Sequence, residues 1–168
     1  WETLPHERLS PGAETVGRRL DVLQRLAAWD GVAPVVVTAS VRSALQPIAA
    51  GLADAGVVEL EVGARGHDLA EVARRLVTLA YHRVDMVSRR GEFAVRGGIL
   101  DVFPPVADHP YRVEFFGDEV DQIRAFSVAD QRSLPGDVAG VVLMPSRELL
   151  LTDRVRERAL ELRDRAPG

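Results

Sequence analysis

The sequence predicts two units of different class: an incomplete α/β unit and, inserted into it, a small α+β domain of one helix and a mostly antiparallel sheet. Three observations carry this expectation. Helical spacing in the first fifty residues is interrupted by the β-branched apolar run Pro34-Val35-Val36-Val37-Thr38, the alternation found at the edge of an α/β domain. From residue 57 a single amphipathic helix is followed only by short strands, the order of an α+β domain. Beyond Met144-Pro145 one highly charged helix returns the chain to the first unit. The expected boundaries are residues 1–56, 57–145 and 146–168.

In chain order, Trp1 to Pro11 is expected to be extended and turn-like, because Pro5 and Pro11 interrupt it. Val16, Leu20, Leu23 and Ala27 then share one helical face across 13–29. The 34–38 run reads as a buried strand. Ser40 is placed to cap a helix through residue 53, with Pro47 as a kink or stop. Residues 57–62 read as a strand and 63–66 as a glycine-bearing loop. Asp68 caps a helix through Ala80 whose stripe is Leu69, Val72, Leu76, Leu79 and Ala80. Short strands are expected at 92–96, 99–103, 111–116, 119–126 and 138–143, separated by turns at Gly97-Gly98 and Gly117. Thr152 caps a last helix over 153–165, with Val155, Ala159 and Leu162 as a thin apolar stripe. There is no internal repeat and no low-complexity segment.

Composition excludes several chemistries. The 168 residues are 46% hydrophobic, enough to bury a core without staples. With no cysteine there is neither a disulfide nor a thiolate-metal site. A net charge of −4 argues against a general nucleic-acid binder. All 21 basic residues are arginine, so every cationic contact is a planar fork, and the lysine of a phosphate-binding loop is missing along with the loop itself. His6, His67, His82 and His109 are scattered without metal-ligand spacing, and no serine stands on a nucleophile elbow. Asp118, Glu119 and Asp121 read as a solvated hairpin turn, and Arg96-Gly97-Gly98 as a tight turn rather than a nucleic-acid motif. No apolar run is long enough to span a membrane, and no signal peptide is seen. The opening residue is Trp1 rather than Met, so a piece of a longer chain is expected. No catalytic residue, cofactor or metal is expected.

What remains is a surface. Alternation puts Phe93 and Val95 on one face of the sheet, with Leu100, Val102, Tyr111, Val113 and Phe115. If that face meets the helix, the opposite face shows Arg96, Phe103, Arg112 and Phe116. Arginine with aromatic side chains is the composition of a protein-binding surface, and a plain solvated arginine face stands beside it as the alternative.

The run Gly91-Glu92-Phe93-Ala94-Val95-Arg96-Gly97-Gly98-Ile99-Leu100-Asp101-Val102-Phe103-Pro104, together with Tyr111-Arg112-Val113-Glu114-Phe115-Phe116-Gly117-Asp118-Glu119-Val120, resembles the second domain of the UvrB family. More closely, it resembles the amino-terminal UvrB-homology module of bacterial transcription-repair coupling factors. Trp1 to Pro5, Arg8 to Pro11 and Gln131 to Leu134 fit the same pattern, and the likeness runs from residue 1 to about 153. The absence of a nucleotide-binding loop and of a long DNA-gripping hairpin favours the coupling-factor branch. At position 94 the chain has alanine where the UvrB pattern Arg-Val-Arg-Gly has arginine.

The resemblance implies a non-catalytic module that recruits UvrA in nucleotide excision repair, set in a degenerate helicase-like α/β domain. It implies Arg83 and Arg96 as UvrA-contacting residues, to which the strand alternation adds Phe103 and Arg112 on the same face. It also implies a cytoplasmic parent protein, an ATP-dependent DNA translocase whose other partners are RNA polymerase and DNA. The competing expectation is a fragment of a UvrB-type ATPase and DNA-binding subunit of the excision nuclease. An α/β domain with only an internal packing role is the third.

Overall fold

The structure, a computed structural model, describes residues 12–47 and 56–165. Its helices are α1 (Ala13–Ala27), α2 (Val41–Leu45), α3 (Leu69–Thr78) and α4 (Asp153–Arg165). Its strands are β1 (Val58–Glu61), β2 (His82–Arg83), β3 (Glu92–Arg96), β4 (Ile99–Val102), β5 (Tyr111–Phe116), β6 (Glu119–Ala125) and β7 (Gly140–Leu143). Strands β2 to β6 form a five-stranded sheet in sequence order, antiparallel except for the β2–β3 pair. Strands β1 and β7 form a separate antiparallel ribbon, Val58 facing Leu143 and Glu61 facing Gly140. The mixed α/β character and the mostly antiparallel sheet agree with the sequence.

One core joins these pieces. Val72, Leu76 and Leu79 from α3 and its C-terminal turn meet Val58 and Leu60 of the ribbon and Phe93, Leu100, Val102, Val113, Val120 and Ile123 of the sheet. The alternation read from sequence therefore sets the buried face of β3, β4 and β5. The loop after β1 stitches ribbon to sheet: Gly63 N–H donates to the Val120 carbonyl at 2.8 Å, and Val120 N–H to the Ala64 carbonyl at 2.9 Å. Helix α3 starts where Asp68 accepts from the Glu71 N–H at 2.7 Å. It stops before the expected Ala80, which takes φ 63°. Tyr81 N–H returns to the Leu76 carbonyl at 2.9 Å and Ala80 N–H to the Val77 carbonyl at 3.0 Å, closing a Schellman turn.

A second, smaller cluster lies on the opposite face of the sheet. Val87, Ala94, Phe103 and Phe126 are buried there under the loops 84–91 and 127–134. Helix α1 attaches to the side of the domain through buried Val16 and Leu20. A Cβ at Gly17 would collide with the Pro105 side chain, so glycine permits the close approach. Arg19 Nε lies 3.3 Å from the buried Glu148 carboxylate, and Arg90 Nη1 lies 3.4 Å from Glu14.

Several expectations differ from the structure. Residues 34–38 form no strand, and Val35, Val36 and Val37 are 50%, 88% and 49% exposed. A buried strand needs a neighbour to pair with, and no described residue supplies one. Helix α2 ends at Leu45, before Pro47; residues 48–53 of the expected helix and the extended 1–11 segment lie outside the described residues. Strand β2 is two residues long, too short to leave a periodic signal. Helix α4 has the expected bounds and starts with Thr152 Oγ1 accepting from the Val155 N–H at 3.3 Å. Leu160 and Leu162 stay about half exposed, at 51% and 52%. The acidic turn is more than solvated: Asp118 Oδ2 accepts from the Gly66 N–H at 3.3 Å, and Glu119 pairs with Arg65 at 2.8 Å.

Candidate protein-docking face

Cross-strand register assembles the outer face of the sheet. One row runs Ala94, Asp101, Arg112, Arg124 across β3 to β6, and the next runs Arg96, Ile99, Glu114, Gln122. At the centre of the first row is Asp101, 1% exposed in a strand of apolar neighbours. Arg112 grips it with two parallel bonds, Nε to Oδ1 at 2.7 Å and Nη2 to Oδ2 at 2.8 Å. Arg96 reaches the same carboxylate from the diagonal position, Nη2 to Oδ2 at 2.9 Å.

The two arginines differ in what else they touch. The Arg112 guanidinium lies 4.8 Å from the Phe126 ring centroid, and its Nη1 donates to the Gln131 carbonyl at 3.4 Å. Its hydrogen bonds to Asp101 push its pKa still higher than the usual arginine value, against an opposing effect of partial burial. Gln131 supports this corner: it holds φ 62° and its Nε2 donates to the Val87 and Val128 carbonyls at 3.2 and 3.0 Å. The Arg96 side chain, by contrast, is 57% exposed.

Arg83 comes to the same place from another element. Strand β2 pairs in parallel with β3, Arg83 opposite Phe93, at the edge of the sheet. Arg83, Val84, Asp85, Val95 and Arg96 line one open groove there. Of the four site residues expected from sequence, the structure therefore brings Arg83 and Arg96 together as exposed cations. Arg112 lies inside the sheet face as the partner of Asp101.

Phe103 differs from expectation: it is 6% exposed rather than displayed. Alternation does put it on the outer face, but the chain folds back over that end of the sheet. Gly91 N–H donates to the Phe103 carbonyl at 2.8 Å, Phe103 N–H donates to the Glu92 carbonyl at 2.9 Å, and the Arg90 guanidinium covers the ring at 5.1 Å. The exposed aromatic on this side is Phe116, 81% accessible at the β5–β6 turn. Asp101 went unnoticed in the sequence, although a carboxylate within Ile99-Leu100-Asp101-Val102-Phe103 is a usable signal, since a charge in an apolar strand needs a partner. Among the described residues no group of three or more His, Asp or Glu side chains is arranged to hold a metal ion, and no helix is long and apolar enough to cross a membrane.

Known proteins similar to this chain include transcription-repair-coupling factors and UvrB proteins. It is 56% identical over its whole length to a transcription-repair-coupling factor of Mycobacterium tuberculosis and 37% identical over 95% of its length to one of Bacillus subtilis. It is 40% identical over 52% of its length to UvrABC system protein B of Lactobacillus johnsonii. The chain spans only 14%, 13% and 13% of those relatives. The family described as the UvrB interaction domain matches residues 58–149, from β1 past β7 and including every residue of the face just described. The chain belongs to the UvrB interaction domain family.

Proposed function

We propose that this chain is a non-catalytic adaptor module of a transcription-repair coupling factor and that its sheet-edge groove recruits UvrA. The observation that carries the reading is the pair of exposed arginines, Arg83 and Arg96, lining one groove inside the region matched as a UvrB interaction domain. Arginine suits such a contact because its fork can take a carboxylate with two bonds and its plane can lie against an apolar neighbour. The coupling-factor reading is favoured over a UvrB-type ATPase fragment by extent: the two coupling-factor relatives match 100% and 95% of the chain, whereas the UvrB relative matches 52%. In this reading Arg112 and Phe103 support the face from within.

The finer parts of the proposal concern the parent protein. The described parts of segments 1–56 and 146–168 are read as pieces of a degenerate helicase-like α/β domain with 57–145 inserted into it. The exposed apolar run Val35 to Val37 supports this, since such a surface suits contact with further residues of a longer chain. The parent is read as a cytoplasmic, ATP-dependent DNA translocase whose other partners are RNA polymerase and DNA, with its motor outside this chain.

The test is calorimetric binding of the chain to purified UvrA. Truncating either arginine to Ala is expected to weaken binding by roughly 1–4 kcal/mol, and Arg83→Glu or Arg96→Glu by more, because like charges then meet across the contact. Arg83 is exposed, so the Arg83→Glu melting temperature should stay near wild type, whereas Arg96→Glu sets a second carboxylate beside the buried Asp101 and is expected to melt lower, so its affinity is measured well below its own midpoint. If both folded variants bind as wild type does, the assigned face is wrong.

A further inference from the structure

We infer that Asp101 is a positioning residue, a buried carboxylate that holds the Arg96 guanidinium in its docking orientation. The inference rests on the reading that this face docks UvrA. Asp101 lies between Leu100 and Val102, both fully buried, where an ionised carboxylate is costly unless its lone pairs are used. They are used: Oδ1 takes Arg112 Nε, and Oδ2 takes Arg112 Nη2 and Arg96 Nη2. A buried ion pair contributes little net stability against an apolar replacement of similar volume, so the distinctive contribution of Asp101 is geometric.

The arrangement assigns different jobs to the two arginines. Arg112 faces Asp101 directly across the β4–β5 register and fixes the plane of the carboxylate. Arg96 is two residues past Ala94, the small buried residue paired with Asp101, and crosses above it to reach Oδ2. It makes this contact through Nη2 alone, and its Nε and Nη1 have no partner among the described residues. Two guanidinium groups on one carboxylate leave one positive charge in excess, and the exposed cation is Arg96. A guanidinium already held in place loses less conformational freedom when a partner carboxylate arrives, which strengthens binding without adding any contact.

The experiment is a double-mutant cycle on the full chain, read as UvrA affinity. Arg96→Ala is expected to weaken binding by about tenfold or more, and Asp101→Asn, which keeps the shape and removes the charge, by a similar factor. In the Arg96→Ala background Asp101→Asn should have no further effect, whereas in the Arg83→Ala background its full effect should persist. A general folding defect would act in both backgrounds. Arg96→Lys gives a second reading that leaves the core untouched. Lysine keeps the charge but cannot hold Asp101 and offer a fork together, so it should bind nearly as weakly as Arg96→Ala. Wild-type affinity in Arg96→Lys or Arg96→Ala, or an Asp101→Asn effect that survives in Arg96→Ala, overturns the positioning role while leaving the docking reading standing. If the wild-type chain does not bind UvrA, the docking reading fails first and this inference fails with it.

Discussion

Tyr81 is a buried phenol whose hydroxyl has no hydrogen-bond partner among the described residues, and burial pushes its pKa well above the usual tyrosine value. The direction of the linkage follows. In the unfolded chain tyrosine ionises near pH 10, while in the folded chain it stays protonated to higher pH. Stability from this site is therefore complete below about pH 10 and falls as pH rises beyond it. Tyr81→Phe is expected to be near neutral or slightly stabilising at pH 7, because it removes an unpaired polar atom, and to flatten the stability loss between about pH 10 and 11. Denaturant melts of both chains across that range provide the measurement; an equally steep alkaline loss in the variant would mean another group is responsible. Residues such as Arg96 and Arg112 show how much of the site was legible. Alternation placed both on the outer face, as observed. It could not distinguish an exposed cation from one saturated by Asp101, because that depends on cross-strand register. Phe103 was placed on the correct face with the wrong exposure, since a covering loop has no period to read.

At the scale of elements, strongly patterned segments were legible and the places where they stop were less so. Strands β3 and β5 have the residue bounds read from their alternation and glycine turns, and β4 and β6 end one residue earlier than expected. Asp68 was a readable helix start because a short acceptor precedes an apolar stripe. The end of α3 was misread because the left-handed residue of its Schellman turn is Ala80, where glycine would have marked the stop. That mismatch gives a prediction. An alanine at φ 63° carries a steric cost that glycine avoids, and glycine's greater freedom in the unfolded chain offsets part of the gain. Ala80→Gly is expected to stabilise the chain by about 0.5–1 kcal/mol, seen as a higher denaturation midpoint with unchanged slope. A destabilised variant would show that the Ala80 methyl packs usefully. The 34–38 run was misread for the opposite reason: its local signal is strong, but strand formation is a property of a pair.

For the whole molecule, the main core among the described residues draws on residues between Val58 and Leu143, and the second cluster lies within 84–128. Helix α1 adds a lateral contact through Val16 and Leu20. A fragment spanning residues 56–149 is therefore expected to retain a single cooperative melt, at a lower midpoint than the full chain because the α1 contact is lost. A broad, non-cooperative melt would make α1 part of the folding unit. The β1–β7 ribbon also has a mechanical consequence. The chain enters the ribbon at Val58 and leaves it at Leu143, these two residues face each other across it, and just beyond it the Ser146 N–H is tied to the Leu79 carbonyl at 2.8 Å. Once the Ser146 bonds to Leu79 and Ala80 have given way, tension pulling the two flanks apart would load the ladder at its open end and peel it one rung at a time. Strands pulled in opposite directions along their own axes would have to break their rungs together. The ribbon therefore behaves as a zipper rather than a shear clamp, and the sheet bearing the arginines hangs from its closed end.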